Sequence, residues 1–368
     1  MLKSKMNNNL ITILKVGLNS SPITSSEVEE LRHCDAEEWK VLTDLALMHG
    51  VGGVFFDGIQ NQYHTHGDLL PKEDWAREVK GRLFSVTMQL EHRNRKQIAV
   101  MNKVGTFLKE HDCQMMVMKG QACAMMYPNP LHRSIGDVDC YLFNDYEKGN
   151  ELIRRTGVHV DDSWYKHSEF SINGESFENH QYFVTTRGGR HYKQLNEKLC
   201  EILATEDLEC FPNSSVLMPP VMFNALFLTY HAFIHFISEG LRLKQVLDWV
   251  MFVKKHQSDI DWKELHRLCV EYKIDRLLVA MNAIAVDFFG VKKTESAMMC
   301  ESPYVQKMMN SVLYDDSYIF NTVEGDWKQR FHIVYNMIKY RWKYRDIAQQ
   351  SVIKQLWTSL LGFILKTE

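Results

Sequence analysis

No C-x-x-C pair occurs among the eight cysteines, Cys34, Cys113, Cys123, Cys140, Cys200, Cys210, Cys269 and Cys300. Such scatter in a long chain argues against a disulfide frame or a zinc ribbon and for free thiols in a reducing compartment. A large charge of one sign is missing too: the net charge of −3 offers no global attraction for nucleic acid and leaves only a local basic groove to be found. Long apolar runs are absent, since Val221–Ile237 is interrupted by His and Asn and Trp357–Ile364 is too short for a bilayer. There is no repeat and no low-complexity segment. The opening MLKSKMNNNLITILKVGL has a basic start and a brief apolar stretch without a small-residue cleavage site. The expectation is a cytoplasmic protein with no membrane partner.

What is present suits a folded chain. With 368 residues there is room for two or three domains, and 45% hydrophobic and 24% charged residues are ordinary for a globular protein. Residues 1–95 read as helices, among them Glu27–Arg32 and Ala36–His49, with Ser26 and Asp35 as caps, and the long Trp75–Gln97. Region 96–210 changes character: helix Ile98–Lys109, strand Gln114–Met118, helix Ala122–Met126, a loop Tyr127–Ser134, strand Val138–Leu142 and helix Tyr146–Thr156. Strands Glu169–Ile172 and Phe177–Val184 then flank Asn173-Gly174, a hairpin signal. Residues 211–368 return to helices.

The chemistry concentrates in VMKGQACAMMYPNPLHRSIGDVDCYLF, Val117–Phe143. Asp137 and Asp139 stand two positions apart on a hydrophobic strand, so their side chains share a face with Cβ atoms roughly 6–7 Å apart. Two such carboxylates can share a divalent cation. Amid Ile135, Val138, Cys140 and Leu142, unpaired acids are expensive, and the pair asks for metal.

The order Lys119-Gly120, Tyr127-Pro128, Arg133, Gly136-Asp137-Val138-Asp139 resembles the uncharacterised nucleotidyltransferase family of the DNA polymerase β-like superfamily. The resemblance spans roughly residues 85–255. It implies an α+β fold, a small mixed sheet flanked by N-terminal helices and a C-terminal helical domain. It also implies Mg²⁺, two ions, held with an NTP by the D-x-D, and a glycine turn where backbone and helix N–H groups approach the phosphates. Gly120-Gln121 stands where the superfamily has Gly-Gly or Gly-Ser, and Lys-Gly is the narrower family's form.

Two-metal transfer needs a third carboxylate on a neighbouring strand, for which Glu169, Glu175 and Glu178 are candidates. Alternation puts Glu178 and His180 on one face, and Glu178-Asn179-His180 resembles the family's Glu-x-His, so Glu178 is preferred over its alternative as a solvent-facing strand residue. Asp137, Asp139 and Glu178 would then be the metal-binding catalytic acids, with Lys119 and Arg133 neutralising the triphosphate. The plainer alternatives are a solvated strand end for Lys119 and an ion pair with Asp137 or a nearby acid for Arg133. Tyr127-Pro128 reads as a turn that orients the loop.

Further on, His231 and His235 fall at i and i+4, a spacing that can bind metal, but Ala232 replaces the glutamate of H-E-x-x-H, which excludes a zincin protease. The same stretch resembles the family's helical region. It would place His231, His235, Arg242 and Asp248 over the nucleotide; otherwise they form a polar network in which Arg242 and Asp248 satisfy one another. The methionines read as core filler. The run Arg330–Arg345 reads as an amphipathic surface helix before it reads as an RNA contact. Transfer of a nucleoside monophosphate to a small molecule, sugar, protein or RNA leads, followed by a toxin-type enzyme acting on tRNA or protein and by an inactive nucleotide-binding regulator.

Overall fold

A computed structural model describes residues 2–186, 190–238, 240–314, 335 and 337–351. Arg187, Gly188 and Gly189 of the Arg187-Gly188-Gly189-Arg190 turn signal, Arg330 and His332 of the basic run with the neighbouring Lys328, and the apolar Trp357–Ile364 lie outside them.

Five helices open the chain: α1 Leu2–Gly17, α2 Ser25–Arg32, α3 Ala36–Met48, α4 Gly52–His66 and α5 Asp74–Glu110. Capping boxes start α2 and α3, with Thr24 and Asp35 accepting from the backbone of Glu27 and Glu38. The cap of α2 is thus one position from a serine, Ser25, and two from the expected Ser26. The segments read as Trp75–Gln97 and Ile98–Lys109 form one helix of 37 residues, because nothing between them breaks the helical spacing of buried Leu83, Thr87, Asn94, Gln97, Met101 and Val104.

The sheet follows: β1 Met116–Val117, α6 Gly120–Ala124, β2 Val138–Tyr141, α7 Tyr146–Arg155, β3 Val160–Asp161, β4 His167–Ile172 and β5 Glu175–His180. Its order is β1-β2-β5-β4-β3, mixed, with β2 and β5 parallel and the remaining pairs antiparallel. Asn173 and Gly174, at φ 53° and 78°, turn β4 into β5 through the hairpin that their sequence predicts. Strands β1 and β5 are shorter than the expected 114–118 and 177–184. The β5 ladder ends at His180, after which Gln181 and Tyr182 both donate to the Lys166 carbonyl.

One sheet face is apolar. Val138, Cys140, Phe170 and Phe177 pack with Val100, Met101, Val104 and Leu108 of α5 and Leu152 and Ile153 of α7. Residues of opposite parity, Asp139 and Tyr141 on β2 and Glu178 and His180 on β5, face the other way. There the helical remainder gathers: α8 Arg190–Thr205, α9 Val221–Ser238, α10 Leu243–His256, α11 Trp262–Glu271, α12 Asp275–Asp287 and α13 Val305–Tyr314. A continuous apolar core joins them to Met116, Met118 and Tyr141 of the sheet and to α1–α4. Architecture and class are α+β, as the sequence implied.

Helix α9 is long and apolar enough to cross a membrane by length and composition, and 61% of it is buried inside the fold. Past α13, Lys343 of the basic run is buried with its ammonium 4.7 Å from the ring centroids of Phe236 and Tyr340, and Arg345 pairs with Asp346. All eight cysteines are free thiols.

Candidate active site

The turn from β1 into α6 sets the site's first cation. Lys119 has φ 47° and ψ −135°, a conformation that costs a non-glycine residue about 1–3 kcal/mol, and Gly120 continues at φ 29°. A Cβ on Gly120 would lie 3.7 Å from the Asp137 carbonyl, so the turn runs close beside the start of β2. The outcome is an ammonium placed 2.7 Å from Asp139 Oδ1. Lys119 is therefore no solvated strand end.

Parallel pairing of β2 with β5 sets Asp139 directly beside Glu178, and Tyr141 beside His180. Asp137 lies two positions before Asp139 on the same face. His180 Nε2 is 3.0 Å from Asp139 Oδ1 and 3.2 Å from Glu178 Oε2. Burial opposes ionisation of Asp139, yet Lys119 and His180 together overcome it and hold the carboxyl far below the ordinary carboxylate range. The His180 contact likewise lowers Glu178. Asp137 goes the other way: burial, then the charges of Glu178, Asp139 and Glu169, push its carboxyl up. This wall carries more negative charge than its cations answer, which fits a donor set for a hard divalent ion. Among the other acids weighed, Glu169 is exposed beside Glu178 in the β4–β5 register, whereas Glu175 is buried against Lys96 and Gln97 of α5.

Opposite the acids stand α9 and α10. Between the two walls lies a cavity of about 290 Å³ lined by Lys119, Gly120, Arg133, Asp137, Asp139, His231, His235, Arg242 and Asp248, among others. Nine of the residues singled out from the sequence thus share one cavity. Of the rest, Glu178 and His180 sit beside Asp139, and Gln121 turns away, its amide donating to Asn94 and Gln97 of α5.

Arg133 grips Asp248 with two hydrogen bonds of 2.7 Å, Nε to Oδ1 and Nη2 to Oδ2. Tyr127 donates its hydroxyl to the same carboxylate at 2.8 Å. All three side chains are buried. The acid that satisfies Arg133 is therefore on α10, and it is neither Asp137 nor a mate for Arg242, whose backbone N–H donates to Gln245 at the start of α10. On α9, His231 Nε2 accepts from Lys119 at 3.2 Å and lies 3.0 Å from His235 Nε2. Burial and Lys119 keep both imidazoles neutral, with His235 adding to the effect on His231 and Lys166 to that on His235: His231 lies well below its ordinary value and His235 is down to about 4.

Sequence patterns did not single out four contributors. Lys244 lines the cavity with its ammonium pulled down to about 8 by burial and Arg133, and Lys166 is lowered to about 8 by burial and Lys119. Asn94 and Gln97 are buried on α5 and donate to the carbonyls of Leu131, Arg133 and Gly136, fixing the loop that carries Arg133 into β2. A buried amide at a core position of an amphipathic helix is a signal for such clamps, but lysines carry no comparable mark.

Comparison with curated proteins and with solved structures returns no match. A model of one family does match, over residues 35–290, a span that includes the strained lysine turn, the paired strands and both helices that close the cavity. The chain belongs to the uncharacterised nucleotidyltransferase family.

Proposed function

We propose that this chain moves a nucleoside monophosphate from an NTP to a hydroxyl or phosphate acceptor. One observation carries the proposal: two parallel strands put Glu178 beside Asp139, and Asp139 with Asp137 lines a cavity whose far wall carries Arg242 and Lys244. Asp137, Asp139 and Glu178 would hold two Mg²⁺ ions, which when bound neutralise the triphosphate and lower the pKa of the acceptor hydroxyl. Lys119, Arg242 and Lys244 line the same space and would bind phosphate oxygens, Lys119 exchanging Asp139 for one of them. Arg133 acts at one remove. Committed to Asp248, it fixes α10, and with it Lys244, against the loop that follows α6. Neutral His231 and His235 add hydrogen-bonding edges without adding charge.

The test is incubation of the pure protein with Mg²⁺, each α-labelled NTP and a cell extract. Label in RNA, protein or a small-molecule fraction identifies the acceptor class. Asp139→Asn is expected to lower the transfer by about 10²–10³-fold, the scale of losing one preorganised electrostatic contact. Transfer that persists at full rate in this variant overturns the proposal.

A further inference from the structure

Next to the acidic wall, β4 and β5 assemble a donor set of a different kind. His167 pairs with His180 across the antiparallel ladder, and Glu169 with Glu178. His180 Nε2 and His167 Nδ1 lie 3.2 and 3.7 Å from the same oxygen, Glu178 Oε2. The donor atoms of the three residues are all within 4.8 Å of one another. Because all three side chains stand on paired strands, the arrangement belongs to the rigid part of the sheet.

Each ring has an acceptor at its outward nitrogen. His167 Nε2 lies 3.2 Å from Glu169 Oε1, and His180 Nδ1 lies 3.3 Å from the Tyr182 carbonyl. Carboxylates and a carbonyl accept only, and His180 meets such acceptors at both of its nitrogens, so the single proton of a neutral ring leaves one nitrogen facing an acceptor. With the protons on the outward nitrogens, the tautomer that a metal ligand needs, the lone pairs of His167 Nδ1 and His180 Nε2 both turn toward the oxygens of Glu178; with its proton on Nε2, His180 serves Asp139 instead. His167 Nδ1 is buried and makes no hydrogen bond. The unpartnered His167 Nδ1 facing Glu178 Oε2 calls for a cation between them.

We infer that His167 Nδ1, His180 Nε2 and Glu178 Oε2 bind one divalent transition-metal ion, zinc in class. The two separations given above bracket the edge of a tetrahedron with metal–ligand bonds near 2.1 Å, which is about 3.4 Å. Imidazole nitrogen suits zinc and its first-row neighbours, while magnesium takes oxygen. Glu169 and the Tyr182 carbonyl are the outer acceptors that orient histidine ligands in such centres. The inference deepens the proposed function and amends it at one point: the ion at the Glu178 end of the acidic wall is zinc in class, in place of one Mg²⁺. It rests on that function for the ion's role and not for its binding.

The test uses metal alone. The 368-residue chain, stripped with a chelator, is titrated with Zn²⁺ and separately with Mg²⁺ by calorimetry, and bound metal is counted by mass spectrometry. One equivalent of Zn²⁺ is expected, held at least about 100-fold more tightly than Mg²⁺. His167→Gln should remove this equivalent. Glu169→Gln, at an exposed position where folding is not at risk, should weaken it about 10–100-fold, the usual cost of losing an outer partner. Co²⁺ in place of Zn²⁺ should give a spectrum without a thiolate charge-transfer band, which separates this centre from the cysteines. Zn²⁺ binding no tighter than Mg²⁺, binding unchanged in both variants, or a thiolate band would each overturn the inference. If labelled nucleotide is still transferred with Mg²⁺ after such a result, the proposed function stands and the zinc centre alone falls.

Discussion

Two buried ion pairs border the cavity, and they are built for opposite ends. Arg133–Asp248 is closed: the guanidinium meets both carboxylate oxygens, a tyrosine hydroxyl supplies a third bond, and side-chain exposure is 5% and 9%. Lys119–Asp139 is open: a single ammonium–oxygen contact, with exposure of 18% and 12%, where the oxygen is shared with His180 and the ammonium with His231. The planar fork takes both carboxylate oxygens, and Nη1 donates to the Ser134 carbonyl, so every guanidinium nitrogen already has a protein partner. A point charge with three rotatable donors can trade one partner for another. The difference teaches that equal sign and similar burial do not give equal roles: the arginine welds loop to helix, and the lysine holds a place that substrate or ion can take.

Removing one partner from each pair should separate these roles. Arg133→Met leaves the Asp248 charge buried with only the Tyr127 hydroxyl as partner and is expected to cost about 3–5 kcal/mol, read from urea midpoints at constant m-value. Mg²⁺ should restore none of it. Lys119→Met removes one charged hydrogen bond, about 1.5–3 kcal/mol, while His180 still serves Asp139. Here millimolar Mg²⁺ should recover part of the loss, because binding to the folded state alone adds stability and the liberated oxygens favour a cation. If Arg133→Met proves the milder change, or Mg²⁺ rescues both variants alike, the contrast between weld and placeholder is lost.

Legibility in the sequence follows the range of the interaction. Asp137 and Asp139 were readable because a strand's period of two is local, and Glu178-x-His180 obeys the same rule. The hairpin was readable because Asn173-Gly174 writes its own turn. The partnership of Arg133 with Asp248 spans 115 positions, and no periodicity encodes which of several acids an arginine will meet. Weak local signals hid other elements. Helix α1 carries three consecutive asparagines and α4 begins with two glycines, poor helix formers that stand because Leu10, Leu14, Val54 and Phe55 are buried in the common core. Strand β3 is two residues long and exists only as a partner of β4. His167 was invisible as a ligand candidate for the same reason as Lys244: its meaning comes from the strand beside it.

The weld has a neighbour that tests it more gently. His132, one residue before Arg133, joins α4 to α5 by placing Nδ1 2.7 Å from Asp57 and Nε2 3.0 Å from Glu91. Burial works against its charge, but hydrogen bonds to both carboxylates outweigh it and raise its pKa above the ordinary histidine value. A raised folded-state pKa means that the clamp contributes its full stability below the unfolded value of about 6.5 and loses it as pH climbs through the folded value. The wild-type urea midpoint should therefore fall across that window, and His132→Gln should flatten the fall while lowering the midpoint on the acid side. Arg133 keeps its proton throughout, so the Arg133–Asp248 weld should show no such slope. A wild-type profile that is flat from pH 6 upward, or one that rises, would mean that the imidazole is neutral in the fold and that Asp57 and Glu91 are held by something other than its charge.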